Sequence, residues 1–263
     1  MTTIDIAPTA IVRSAPVNLR DLGGIRIADG VLREGFAIRT DDIAYATEEV
    51  ADELVAAGLT AIIDLRSPLE VATTGRGPFA DRPVSYHHLP LIADVGDSMK
   101  QSAAGRAEGA PHLGHEAMGE MYIGMVERAA PQLVTALNVI AYASGATAFH
   151  CAAGRDRTGV LAAMLLLALG ADDDDIVADY ARTGENMAAI MERNRPVMGA
   201  MWKALGFDID AFDGRMLMEG SMEVSMRMLL ATLRERHGDA LAPLRSAGLG
   251  DDTIARLRAR ALA

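Results

Sequence analysis

The run from Ala146 to Leu169 constrains this chain more than any other stretch. A short apolar strand, Ala146-Thr147-Ala148-Phe149, leads into His150-Cys151-Ala152-Ala153-Gly154-Arg155-Asp156-Arg157-Thr158-Gly159, and Val160 to Leu169 continue as an apolar helix. Strand, glycine-bearing loop and helix, in that order, put the chain's one cysteine at a helix N-terminus. There, unpaired backbone N–H groups and the helix dipole attract negative charge.

A thiol reacts as its thiolate, and such a position favours that form of Cys151. The N–H groups from Ala152 through Ala153, Gly154, Arg155 and Asp156 to Arg157 can ring the three non-bridging oxygens of a phosphate. Gly154 permits the sharp turn, and Gly159 lets the helix start close beneath the loop. Arg157 supplies a planar fork for two phosphate oxygens, and Arg155 adds a second cation. Thr158 can donate its hydroxyl to the sulfur, and His150 fixes the loop by hydrogen bonds without transferring a proton. A lone cysteine is usually a small buried apolar residue. Here His150, Thr158 and two glycines accompany the Cys-x5-Arg spacing, and glycine alone fills only about 7% of average positions. The expectation is phosphoryl transfer through cysteine, with no metal or other cofactor.

Composition narrows the rest. At 263 residues and 50% apolar, the chain can bury a substantial core as one domain, 1–263. A net charge of −11 argues against nucleic acid and against an anionic membrane surface as partners. One cysteine allows no internal disulfide and suits a reducing compartment. No basic segment followed by an apolar core opens the chain, and Val160 to Leu169 is too short to span a bilayer. A cytoplasmic protein without stable membrane insertion is expected, with signal-less export and the oligomeric state left open.

Alternating segments indicate an α/β fold, a central sheet flanked by helices. Ile25-Arg26-Ile27 and Val31-Leu32-Arg33 around Asp29-Gly30 read as a hairpin. Phe36 to Arg39, Ala61 to Leu65, Val84 to Leu89 and Ala146 to His150 read as strands, and Glu48 to Ala57 as a helix. Glu120 to Ala143 has helical spacing, with a break or new start at Pro131. Residues 96–119, rich in Gly, Ala and polar side chains, read as a mobile insertion. His112, His115 and Glu116 within it lack metal-site spacing and read as a surface loop. Residues 186–230 hold nine of the 15 methionines. Met187, Met191, Met198, Met201, Met222 and Met226 recur at helical intervals, forming either core filling or a helical lid over the site. Asp172 to Asp175 read as acids capping the next helix. After a turn at Ser246 to Gly250, the tail forms an amphipathic helix with Ile254 and Leu257 inward.

The loop resembles that of the protein tyrosine phosphatase superfamily. More narrowly, it is similar to bacterial tyrosine and phosphoinositide phosphatases whose loop reads His-Cys-x-x-Gly-Lys-Asp-Arg-Thr-Gly. Asn18-Leu19-Arg20-Asp21-Leu22-Gly23-Gly24, Asp64-Leu65-Arg66-Ser67 and Ala247-Gly248-Leu249 match other segments of that family. The resemblance implies a phosphocysteine intermediate, a tyrosine phosphatase-like fold with a helical lid-like insertion, and Asp156 as general acid. Two departures stand out: Arg155 replaces the family's lysine, and no Trp-Pro-Asp loop precedes the cysteine. The only tryptophan, Trp202, follows it, and Glu116 to Glu127 contains no aspartate. Some group must protonate the leaving oxygen. Asp156 is the first candidate, with Asp94 in reserve and Asp64 further off.

The resulting expectation is a cysteine-dependent phosphomonoester hydrolase in which Cys151, Asp156 and Arg157 are catalytic and His150 and Thr158 supporting. Phosphotyrosine proteins lead as substrates; the alternative is a phosphoinositide or dual-specificity phosphatase, with Arg155 available to a second phosphate. An inactive phosphate-binding module on the same fold is the rival from another class. A sulfurtransferase or arsenate reductase fits less well, since the latter needs relay cysteines that this chain lacks.

Overall fold

In the computed structural model, which describes residues 11–93, 114–204 and 221–262, the strand that leads into the cysteine loop lies at the centre of a five-stranded sheet. The strands are β1 (Arg20–Asp21), β4 (Ala37–Thr40), β5 (Leu59–Asp64), β6 (Ser85–His88) and β7 (Ala146–His150), in spatial order β1-β4-β7-β5-β6. Only β1 runs antiparallel to its neighbour. The expected hairpin is present as a separate two-stranded ribbon, β2 (Arg26–Ile27) and β3 (Gly30–Val31).

Strand alternation sends neighbouring side chains to opposite faces of the sheet. Ile38, Ile62, Ala146 and Ala148 pack on one face with Val50, Leu54 and Val55 of helix α1 (Glu48–Ala56). Ala37, Ile63 and Phe149 pack on the other, under the larger core. That core holds α3 (His115–Arg128), α4 (Ala130–Tyr142), α5 (Asp156–Leu169), α6 (Asp173–Ala181), α8 (Glu223–His237), α9 (Ala242–Ser246) and α10 (Asp251–Leu262). Helix α2 (Pro68–Thr74) comes after β5, and α7 (Thr183–Ala204) after α6. Helix α5 is apolar nearly all round, as a helix buried between a sheet and other helices must be.

Several boundaries depart from expectation. The helix expected from Glu120 starts at His115, so residues 115–119, assigned by sequence to a mobile insertion, are helical. Residues 96–113, His112 included, lie outside the described residues. The break at Pro131 is real: α3 ends at Arg128, and the proline sits in the first turn of α4, where its missing N–H costs nothing. Asp173 to Asp175 do occupy the first turn of α6, but Asp172 makes no side-chain cap bond. Instead Asp173 pairs with Arg234, Asp174 with Arg227 and Asp175 with Arg26, tying α6 to its neighbours. Met187, Met222 and Met226 are buried in the core and Met191 packs against it. The side chains of Met198 and Met201 lie outside the described residues. Ile254 and Leu257 face inward, as expected. No helix among the described residues is long and apolar enough to cross a membrane.

Parallel register gathers the site. Thr40 and Asp64 both lie opposite His150, so β4, β7 and β5 end side by side. The segments that leave these three strands therefore converge at one edge, the carboxyl end where α/β sheets place their ligands. Asp42 N–H donates to Ala152 O at 3.1 Å and Leu65 N–H to His150 O at 2.9 Å, stitching the three strand ends together.

Candidate active site

The loop from Cys151 to Arg155 turns its carbonyls outward. Ala152 O accepts from Asp42 N–H at 3.1 Å and from Asn194 Nδ2 at 3.0 Å. Asn18 Nδ2 donates to Ala153 O at 3.2 Å and to Gly154 O at 3.3 Å. Arg39 Nη2 donates to Gly154 O at 3.0 Å, and Gly159 N–H to Arg155 O at 2.9 Å. The N–H groups from Ala152 to Arg157 have no acceptor among the described residues. Six such donors on one short arc at a helix N-terminus have the chemistry to hold an anion. Gly154 is required there twice over: its φ is +67°, and a Cβ would lie 2.5 Å from Thr40 O.

Cys151, 1% exposed, sits at the base of that arc against the apolar core. Thr158 Oγ1, one turn into α5, is buried and has no partner among the described residues, so its proton is available to a neighbouring acceptor. Arg157 extends from the first turn of α5 to Glu70: Nη1 lies 2.5 Å from Oε2 and Nη2 2.8 Å from Oε1. Two of the five guanidinium N–H groups are thus used, leaving three for an anion. Glu70 is itself placed by a capping box, its Oε2 accepting Ser67 N–H at 2.7 Å while its own N–H donates to Ser67 Oγ. Burial opposes ionisation of Glu70, but Arg157 holds its carboxyl below the ordinary range. Burial likewise opposes the charge of Arg157, and Glu70 together with Cys151 holds the guanidinium more firmly protonated than usual.

A sequence model of the tyrosine phosphatase family matches residues 13–263. The chain belongs to the tyrosine phosphatase family. Its activity is that of a cysteine-dependent protein-tyrosine phosphatase, a phosphoric monoester hydrolase. Among relatives, the triple specificity protein phosphatase PtpB of Mycobacterium tuberculosis is 29% identical over 265 residues, 92% of this chain and 95% of that one. A tyrosine-protein phosphatase of Nostoc commune is 29% identical over 145 residues, 55% of this chain and 47% of that one. The crystal structure of Pseudomonas aeruginosa TpbA in complex with pTyr aligns over 70% of this chain and 86% of that one, at 16% identity and a TM-score of 0.33.

Beneath the phosphatase loop, His150 is enclosed by acids. Its Nδ1 lies 3.7 Å from Asp42 Oδ1 and 3.4 Å from Cys151 O, and its Nε2 lies 3.6 Å from Asp64 Oδ2. Burial holds His150 below its ordinary value despite those carboxylates, consistent with a supporting role as a neutral ring. Arg66 joins the two acids. Its Nε and Nη2 grip Asp64, and its Nη1 reaches Asp42 Oδ2 at 2.8 Å. Asp64 also accepts the Tyr86 hydroxyl at 2.7 Å; burial works against its charge, but His150 and Arg66 pull its carboxyl well below the usual range. Asp42, with fewer donors, is pushed up by burial. Asp64 is fully buried and committed to this network, so it is not the leaving-group acid.

Asp156 stands at the start of α5, a quarter exposed, with Oδ1 accepting the Tyr122 hydroxyl at 2.5 Å. Asp94, the reserve acid, lies outside the described residues. Arg155 lies beside Asp156. Its side chain is 2% exposed and turned among Tyr122, Tyr180 and Asp156, with Nε 3.4 Å from the Tyr180 hydroxyl. Its Nη2 is buried without a hydrogen-bond partner among the described residues. Sequence reasoning assigned no role to Glu70, Tyr122, Tyr180 or Asn194. Only Glu70 carried a readable sign, the Ser67-x-x-Glu70 capping box. Among the described residues no cluster of His, Cys, Asp and Glu is arranged to hold a metal ion.

Proposed function

We propose that the chain hydrolyses phosphotyrosine in proteins by a two-step route through Cys151. The observation that carries this reading is the outward tethering of the loop carbonyls, which leaves the N–H groups of Ala152, Ala153, Gly154, Arg155, Asp156 and Arg157 to an anion. The thiolate of Cys151 attacks phosphorus in line while the loop amides and Arg157 hold the equatorial oxygens. As the S–P bond forms and the P–O bond breaks, Asp156 gives its proton to the departing phenolic oxygen. In the second step Asp156, now a carboxylate, takes a proton from water as that water displaces the sulfur from phosphorus. Thr158 supplies a hydroxyl that can stabilise the departing thiolate. His150 holds the loop from below.

The contacts of Arg155 with Tyr180 and Asp156 favour phosphotyrosine over phosphoinositides, since they draw part of the guanidinium away from a second phosphate. The relative named as triple specificity makes the comparison worth measuring. The test is hydrolysis without added metal by wild type and Cys151→Ser, with phosphotyrosine peptide, phosphoserine peptide and phosphoinositides side by side. Phosphate release that is lost in Cys151→Ser, and fastest from phosphotyrosine, is expected. Retained turnover in Cys151→Ser would remove the nucleophile, and fastest release from phosphoinositide would reverse the substrate order. Phosphate binding by wild type without release from any substrate would leave only a binding module.

A further inference from the structure

Four elements meet behind Asp156. Tyr122 comes from α3, Tyr180 from α6 and Ser225 from α8, while Arg155 and Asp156 belong to the loop and the start of α5. The Tyr122 hydroxyl lies 2.5 Å from Asp156 Oδ1 and 2.7 Å from the Tyr180 hydroxyl. Tyr180 in turn lies 3.2 Å from Ser225 Oγ and 3.4 Å from Arg155 Nε. All of these except Asp156 are buried.

The directions of these bonds can be assigned by elimination. Burial, then Asp156 and Tyr180, keep the Tyr122 phenol protonated, so it donates to the aspartate. Arg155 can only donate, so Tyr180 accepts from it. Ser225 gives its proton to Met222 O at 2.9 Å and Tyr122 gives its own to Asp156, so the 2.7 Å Tyr122–Tyr180 bond takes the Tyr180 proton in preference to the 3.2 Å contact with Ser225. A continuous sequence of donors therefore runs from Arg155 through Tyr180 and Tyr122 to Asp156. Hydrogen bonds aligned in one direction reinforce each other where water is excluded.

We propose that this Arg155–Tyr180–Tyr122 chain is a positioning device for the general acid: by occupying Oδ1 of Asp156 it commits Oδ2 as the oxygen that carries the proton to the leaving group and later takes one from water. This rests on Asp156 being that acid. Oδ2 has no partner among the described residues, whereas Oδ1 receives Tyr122. An aspartate beside a glycine-bearing loop could otherwise rotate and present either oxygen. Fixing one oxygen within a fraction of an ångström converts a mobile acid into an oriented one.

Gly159 belongs to this device. A Cβ there would meet the Tyr180 ring at 2.9 Å, so the glycine admits the ring that holds Tyr122 in place. The two rings meet edge to face, with centroids 6.0 Å apart and planes at 76°.

The experiment compares wild type, Tyr122→Phe, Asp156→Asn and the double variant on aryl phosphates whose leaving groups run from nitrophenol to unsubstituted phenol. Inorganic phosphate inhibition and thermal melting are recorded for each. Tyr122→Phe is expected to lower kcat tenfold or more for phenyl phosphate and much less for nitrophenyl phosphate, with the phosphate inhibition constant little changed. Added to Asp156→Asn, it should cost nothing further. An equal loss on every ester, or full additivity in the double variant, would overturn the positioning role while leaving the acid assignment intact. If Asp156→Asn itself shows no dependence on leaving group, the acid reading falls and takes this inference with it. Should Tyr122→Phe melt too low to assay, Tyr180→Phe removes the next hydroxyl. It must then show the same leaving-group dependence at smaller size, and a uniform loss refutes the chain.

Discussion

Removing Glu70 tests whether the electrostatic balance at the site front is as the geometry indicates. Glu70→Ala leaves the Arg157 guanidinium buried without its bidentate partner and breaks the Ser67 capping box. Stranding one member of a buried pair costs about 3–5 kcal/mol, and loss of a cap adds about 1 kcal/mol. For a protein of this size each kcal/mol is worth about 2–4 °C in Tm, so a fall on the order of 10–20 °C is expected in a thermal scan. Glu70→Gln keeps the shape and one acceptor oxygen, and should fall less. The decisive variant replaces both partners, Glu70→Leu with Arg157→Met. With neither charge left in the interior, it should recover most of the lost stability while releasing no phosphate from phosphotyrosine peptide. Glu70→Gln, in which Arg157 keeps its charge but loses its orientation, should lower kcat by about a hundredfold, the scale for losing one transition-state donor. If Glu70→Ala melts within about 2 °C of wild type, or the double variant is less stable than Glu70→Ala, the pair does not hold the charge balance and the reasoning fails.

Stability should also depend on pH through His150. Burial holds its folded value below 6.5, so the unfolded chain takes up the proton first. The neutral ring therefore contributes stability above pH 6.5 that is lost as the pH falls below it. Urea melts of wild type should weaken between about pH 7 and pH 5, and His150→Asn should flatten that slope; an unchanged slope would place the titrating group elsewhere. Glu70, held below 4.5, adds a second loss only in the more acid range. Arg155→Ala should reduce hydrolysis of phosphotyrosine peptide and phosphoinositide by the same factor, because the side chain supports Tyr180 and Asp156 from inside the protein. A selective loss on the lipid would show that it reaches substrate.

The catalytic loop was legible because its chemistry is local. Strand, cysteine, glycine turn, arginine and helix start lie within consecutive residues, and their order dictates the local structure. Helix α1 and the tail helix were legible for the same reason, through the spacing of their apolar faces. The surroundings of the loop were not, because they depend on parallel register. Nothing in the spacing says that Thr40 and Asp64 lie opposite His150, and only that pairing brings Asp42 and Arg66 beneath the cysteine. Glu70 could be read as a cap for its own helix but not as the partner of Arg157, a residue 87 positions away. The early start of α3 escaped because His115 to Gly119 is poor in strong apolar spacing, and burial against the core decided it. The charge of Arg155 was legible in the sequence, but its contact with Tyr180, brought by a distant helix, was not.

Why a chain half apolar by composition should concentrate so many charges near one loop can be traced to the loop's own geometry. A phosphate cradle needs its amides pointing inward, so its carbonyls must point outward, and buried carbonyls need donors. Asn18 and Arg39 supply them to Ala153 and Gly154. Those donors must in turn be held. Arg39 Nη1 donates to Asp179 Oδ2 at 2.5 Å, and Asp179 Oδ1 accepts from Arg20 Nε at 2.9 Å. Arg20 Nη1 then donates to Asn18 Oδ1 at 2.6 Å, which returns the sequence of bonds to the residue where it began. Burial alone would push the Asp179 carboxyl up, but Arg39 and Arg20 bring it below the ordinary range. Closure of that ring explains Asn18-x-Arg20 at the N-terminal signature, neither residue of which needs to touch substrate. Their contribution is to keep Gly154 O turned away, and through it the N–H groups turned in.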